Sequence, residues 1–238
     1  MSTKPFQFKE FTINQDKTAM KVGTDGVLLG AWVELKDEIN SILDIGTGTG
    51  LIALQLAQKS DCEIIDALEI EPNAFEQAVE NFENSDWGDR LFCYHASLDE
   101  FKNAVDEPYD LIISNPPFYN DTFKELEQKR ALARHTKTLS FKKLLSATAK
   151  LLSKTGTCAY IIPFEEEVNF VKIAKTFNLF PYRITRVKGN QKSPIKRSLL
   201  QFSFTKSKVT IDELIIEIER HIYTESYKNM VKDFYIKI

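Results

Sequence analysis

The sequence predicts an α/β fold: a mostly parallel sheet with helices on both faces and a terminal antiparallel hairpin. Two observations carry this. Short apolar runs alternate with helix-like stretches from residue 41 onward, and alternation of this kind builds parallel sheets. The runs are also apolar almost throughout, as strands covered on both faces must be. Such sheets take ligands outside the carboxyl ends of their strands, near the point where strand order reverses.

The elements follow in order. A polar N-terminal arm (1–40) precedes the first strand, SILDI (41–45), which runs into GTGTG and a helical LIALQLAQ. EIIDALEI (63–70) is the second strand, and Pro72 opens the helix after it, where a missing N–H costs nothing. LFCYHA (91–96) and YDLIIS (109–114) are the third and fourth strands, separated by a short helical LDEFKNAV. SFKKLLSATAKLLSKTG (140–156) reads as an amphipathic helix stopped by Gly156. TCAYIIP (157–163) is the fifth strand and EEEVNFVKIAKTFN a further helix. YRITRVK and RSLLQFSF pair as the hairpin, and residues 206–238 read as a helical extension of the 41–205 core. Phe6, Phe8 and Phe11 are expected to dock the arm on the body.

The chain has 238 residues, enough for one domain with a full core. No apolar run approaches the roughly 20 residues of a spanning helix. MSTKPFQFKEF lacks the apolar region of a secretion signal, so the expectation is a cytoplasmic protein, most simply a monomer, that does not bind membranes. Cys62, Cys93 and Cys158 are odd in number and form no CxxC pair, as expected of reduced core thiols. His95, His135 and His221 are scattered, and no metal site is expected.

The formal net charge of −3 conceals a division. Residues 1–120 carry 8 lysines and arginines against 22 aspartates and glutamates, whereas residues 121–210 carry 19 against 6. A basic second half suggests a nucleic-acid partner. Arg134 and His135, and the hairpin-tip residues Lys188, Lys192, Lys196 and Arg197, are the candidate contacts.

Two loops at predicted strand ends carry the chemistry. LDIGTGTG places Gly46, Gly48 and Gly50 directly after the first strand, where the backbone can turn sharply against a ligand at a helix N-terminus. The spacing is GxGxG, not the GxGxxG of dinucleotide enzymes. Asp44 brings a carboxylate, which favours a cationic ligand such as the sulfonium and ammonium of S-adenosylmethionine. Glu69 or Glu71, at the second strand end, would hold ribose hydroxyls; Glu69 is nearer the strand end. Ser97 and Leu98, beyond the third strand, lie where an adenine edge would be read.

DLIISNPPFYND places Asn115, Pro116, Pro117 and Phe118 at the mouth of a buried strand. An amine conjugated to a ring is a poor nucleophile. The Asn115 side-chain carbonyl and the Pro116 main-chain carbonyl can accept its two N–H bonds and leave its lone pair aimed at a methyl donor. The prolines fix those carbonyls, and Phe118 offers a face for a planar base. Positioning and two hydrogen bonds suffice, without a general base.

LDIGTGTG, EIEP and NPPFY, in this order and spacing, resemble class I S-adenosylmethionine-dependent methyltransferases that methylate amines. FTINQDKTAMKVGTDGVLLGAW (11–32), ARHTKTLSFKKLL (133–145), KRSLLQFSF (196–204) and YTESYKNMVKDFYIK (223–237) extend the likeness over nearly the full length. They resemble the bacterial tRNA1(Val) adenine-37 N6-methyltransferases. The resemblance implies a Rossmann-like fold, S-adenosylmethionine as cofactor and a tRNA adenine as substrate. It also implies a lid over the methionine end of the cofactor at Lys21–Asp25, including Thr24. Ser97 stands where that family usually has an acidic residue. The competing functions are methylation of ribosomal RNA guanine or of a protein glutamine, a non-catalytic RNA-binding module, and a nicotinamide dehydrogenase. The GxGxG spacing and the NPPF loop disfavour the last of these.

Overall fold

The computed structural model describes residues 4–117 and 139–238. Phe118, Arg134 and His135 lie outside the described residues. At the N-terminus, β1 (Phe6–Gln7) pairs with β2 (Thr12–Ile13). Phe8 and Phe11 are buried and stacked, and Phe8 also stacks on Tyr235. The arm therefore docks on the C-terminal DFYIK segment, as expected.

The main sheet begins with β3 (Ser41–Ile45), flanked by β4 (Ile64–Glu69) and then β5 (Leu91–His95). On its other side lie β6 (Tyr109–Ser114), β7 (Leu152–Pro163) and β9 (Ile195–Ser203). Beyond these come β8 (Phe180–Asn190), β10 (Thr210–Glu219) and β11 (Ile222–Tyr223). β7 and β8 each pair antiparallel with β9, and β10 with β11; the other ladders are parallel. The strand order reverses between β3 and β6, which puts the ligand crevice at their carboxyl ends.

Alternation along each strand divides the core in two. Leu111, Ile113, Ala159 and Ile161 face α1 (Thr24–Trp32), α2 (Leu51–Lys59), α3 (Pro72–Glu83) and α7 (Glu225–Val231). Leu43, Ile112, Tyr160 and Ile162 face α4 (Leu98–Ala104), α5 (Phe141–Leu151) and α6 (Glu167–Thr176). Burying a Leu or Ile side chain contributes about 1.5–3 kcal/mol, so continuously apolar strands stabilise both layers. Within the expected arm, α1 packs on α2 through glycines. A Cβ on Gly30 would lie 2.4 Å from Gln55 Oε1, and one on Gly26 would lie 3.0 Å from Leu51 Cδ2. The Lys59 ammonium ties down the end of α1 by donating to the Ala31 and Val33 carbonyls.

Two expectations are corrected. The helix predicted over 140–156 ends at Leu151, and Gly156 lies inside β7. There Tyr109 pairs with Leu152 and Leu111 with Thr157, so the intervening residues of β7 bulge. A Cβ on Gly156 would sit 2.9 Å from the Tyr109 carbonyl oxygen. The glycine serves close backbone approach rather than helix termination. The C-terminal extension is helical only at α7. Thr210–Glu219 forms β10 instead, and its pairing with β8 occupies backbone groups that an edge strand leaves open.

Cys62, Cys93 and Cys158 are free, and burial pushes the Cys158 thiol up to about 12. Among the described residues, no helix is long and apolar enough to cross a membrane, and no cluster of metal-ligating side chains forms.

Candidate active site

A pocket of about 270 Å³ opens at the carboxyl ends of β3, β4 and β5. Ile45, Gly46, Leu68, Glu69, Ser97, Leu98 and Asp99 line it, together with Leu139 and Lys143. The glycine loop rises beside it with Gly46, Gly48 and Gly50 all at positive φ (74°, 60° and 83°). A Cβ on Gly46 or Gly48 would meet nothing within 4 Å, whereas one on Gly50 would lie 2.5 Å from the Phe82 ring. Gly50 thus closes the turn against α3, while Gly46 and Gly48 present bare backbone to open space.

Carboxylates hold this loop in shape. Glu69 Oε2 accepts from the Gly48 amide at 2.9 Å, and its Oε1 accepts from the Ile70 and Glu71 amides. Glu71 instead caps α3, accepting from the Asn73 and Ala74 amides. Of the two candidates, Glu69 lines the pocket and Glu71 is absent from its lining.

Asp44 is fully buried beneath the loop. Its Oδ2 accepts from the Thr47 hydroxyl at 2.6 Å, while Oδ1 has no partner among the described residues. Burial pushes its carboxyl up to about 7, against the Thr47 hydroxyl, which favours the charged form.

Ser97 is the N-cap of α4. Its hydroxyl donates to Glu100 and accepts from the Glu100 amide, a reciprocal capping box. The neighbouring carboxylate in the pocket wall is Asp99, paired with Lys102 at 2.9 Å and Lys143 at 3.6 Å. The Lys102 hydrogen bond holds the Asp99 carboxyl below its ordinary range. Sequence reasoning passed over Asp99 and Lys143. The S-x-x-E pattern of Ser97–Glu100 was a readable sign that the serine hydroxyl would be taken.

The NPP loop is joined to the glycine loop. Ser114, the last residue of β6, is fully buried and donates its hydroxyl to the Ile45 carbonyl at 2.7 Å. Ile45 immediately precedes Gly46, and Asn115 immediately follows Ser114. Asn115 is half-buried, Pro116 buried and Pro117 exposed. The Asn115 side chain makes no hydrogen bond within the described residues.

The residues expected to form the lid sit in the loop before α1 and in its first turn. The Lys21 ammonium donates to the Gln15 and Thr18 carbonyls, which ties the loop before α1 to itself. Thr24 lines a different cleft, at the end of β8. Asp25 forms an ion pair of 2.7 Å with Arg197. That pair engages one of the proposed RNA contacts, and Glu213 engages Lys188 at 2.9 Å. Lys192 and Lys196 are exposed at the hairpin tip.

The chain resembles known proteins over much of its length. The family model described as methyltransferase small domain matches residues 27–162. A curated protein of Christiangramia forsetii named tRNA1(Val) (adenine(37)-N6)-methyltransferase is 60% identical, over the whole of both chains. One of Flavobacterium johnsoniae with the same name is 58% identical over 98% of this chain and all of its own. Among solved structures, a protein of Agrobacterium tumefaciens titled a predicted O-methyltransferase superposes with a TM-score of 0.69. It covers 88% of this chain and 96% of its own at 16% identity. A methyltransferase from Pyrococcus furiosus gives a TM-score of 0.52 over 73% of this chain and 78% of its own, at 24% identity. These structures share the fold.

Proposed function

The chain belongs to the tRNA1(Val) (adenine(37)-N6)-methyltransferase family, and from that premise we propose that it methylates the exocyclic N6 amine of an adenine in tRNA. The target is position 37 of the tRNA1(Val) anticodon loop, and the methyl donor is S-adenosylmethionine. The observation that carries this reading is the Ser114–Ile45 hydrogen bond, which sets the NPP loop directly beside the glycine loop.

The residues present suit this cofactor. Gly46 and Gly48 leave a cradle that a Cβ would fill. Asp44 keeps a buried, unpartnered oxygen where a cationic group could be balanced. Glu69 places a carboxylate in the pocket wall for ribose hydroxyls, and Asp99, Ser97 and Leu98 form the wall for the base. When bound, the cofactor supplies an electrophilic methyl group on a sulfonium.

The remaining work is positional. The Asn115 side-chain carbonyl and the Pro116 main-chain carbonyl accept the two N–H bonds of the adenine amine. Its lone pair is then turned out of conjugation. Pro116 and Pro117 hold φ fixed, so the acceptors need not reorganise during reaction. Phe118 stacks the base. An unpaired loop nucleotide suits this site because splaying it out costs little. Lys192 and Lys196, with Arg134 and His135, take the RNA backbone, and the protein acts as a monomer in the cytoplasm.

Transcripts of tRNA1(Val) carrying adenine or guanine at position 37 test the reading. Labelled methyl should enter the first and not the second. Equal labelling of both would refute the assignment. Label in ribosomal RNA or protein glutamine instead would support the competing substrates.

A further inference from the structure

A second cleft, of about 460 Å³, opens at the end of β8. It lies on the same rim of the sheet as Asn115, because β8 runs parallel to β6 with β9 and β7 between them. The register sets Ser114 level with Ile184, so the cleft at Gly189 lies three strand spacings across and about four residues further along than Asn115, roughly 20 Å away. Its walls are aromatic. Phe6 packs on Tyr235 with ring centroids 6.0 Å apart, and Tyr223 packs on Tyr227 at 5.2 Å. Phe6, Tyr223 and Tyr235 are each half-buried, so the rings keep exposed surface.

The surrounding charge indicates what would occupy such a cleft. Lys237 lines it, and Gly189 joins it to the hairpin that carries Lys192 and Lys196. None of these three ammonium groups meets a carboxylate among the described residues. Glu217 is the acidic member of the lining. Its Oε1 accepts from the His221 amide at 3.2 Å, and its Oε2 has no partner among the described residues. Rings for stacking, unpaired cations beside them and one free carboxylate oxygen fit a nucleotide. The rings meet the base, the lysines its phosphates, and the carboxylate an N–H on the base edge.

We propose that this cleft holds an unpaired nucleotide of the RNA substrate that flanks the methylated adenine, its base stacked against Tyr223 and Tyr235. The proposal rests on the tRNA reading above. It gives the C-terminal segment a role in substrate recognition separate from methyl transfer.

The test measures fluorescence anisotropy of a labelled RNA hairpin with an unpaired loop, beside a fully paired duplex of the same stem. Tyr223→Ser should weaken hairpin binding about fivefold or more, the lower end of what a base–aromatic stack contributes. It should leave duplex binding and S-adenosylmethionine binding unchanged. Tyr223→Phe, which keeps the ring, should bind the hairpin as wild type does. Lys192→Gln with Lys196→Gln should flatten the salt dependence by about 1.4 in log–log slope, at roughly 0.7 per phosphate contact on a single strand. Unchanged hairpin affinity in Tyr223→Ser, or an equal loss on duplex, would overturn the cleft assignment. Wild-type protein that methylates tRNA while Tyr223→Ser binds normally would isolate that failure from the functional reading. Wild-type protein that neither binds nor methylates RNA would overturn both.

Discussion

Replacing Asp44 by asparagine should change how stability depends on pH, in a direction opposite to that of an ordinary surface aspartate. Burial raises the folded-state pKa from 3.8 to about 7. The folded protein therefore keeps a proton that the unfolded chain releases. Stability from this group is complete below the unfolded value and is lost as pH rises towards the folded one. Each pH unit in that window costs about 1.4 kcal/mol. Between about pH 5 and about pH 8 the wild type should lose about 3 kcal/mol through this one carboxyl. The variant has nothing to titrate at this position. Urea unfolding of both proteins across this range isolates the effect, because other titrating groups cancel in the difference. The gap should widen in favour of Asp44→Asn as pH rises and level off above about 7. Parallel pH profiles would refute the assignment of a neutral buried acid. A bound cation favours the charged form, so wild-type affinity for S-adenosylmethionine should also rise with pH over this window, and that of Asp44→Asn should not.

Further expectations concern the two loops and the basic face. Asn115→Ala should abolish methyl transfer with little change in cofactor affinity by calorimetry; a variant retaining activity would contradict the proposed role of its carbonyl. Glu69→Ala should weaken cofactor binding by about 1–3 kcal/mol, the scale of a charge-assisted hydrogen bond. It should also lower the melting temperature, because the Gly48, Ile70 and Glu71 amides lose their acceptor. Gly50→Ala should destabilise the protein by about 1–3 kcal/mol through left-handed strain and the clash with Phe82. Gly48→Ala carries the same left-handed strain but no clash, so it should destabilise the protein less than Gly50→Ala and weaken cofactor binding more, since its Cβ enters open space; equal effects of the two variants on both readouts would contradict this division. RNA affinity should fall steeply with added salt, and a flat response would remove the basic half from the interface.

Much of the fold was legible because its strands are buried on both faces. SILDI and YDLIIS become β3 and β6 with the same bounds as predicted. The misreadings lie where one pattern serves two structures. Thr210–Glu219 intersperses acids among isoleucines and leucine in a spacing that suits a helix surface as well as an edge strand. Its pairing with β8, a long-range event, decides the matter. Helical spacing likewise continues past Leu151, and only the bulge opposite Tyr109 shows why the chain turns into a strand there. At the site, alternation alone left Glu69 and Glu71 equivalent; capping of α3 separates them. Asp99 lies one residue beyond the expected contacts Ser97 and Leu98, and the Ser97 hydroxyl is committed to the capping box. Gly26 and Gly30 belong to a motif whose packing role needed the neighbouring helix to be seen.

The most direct measurement uses purified protein, labelled S-adenosylmethionine and total tRNA from a strain lacking this gene, with nucleosides identified by mass spectrometry after digestion. The account predicts label in N6-methyladenosine, and none when Asn115→Ala replaces the wild type. Label in another nucleoside, or an unlabelled tRNA pool, would contradict it.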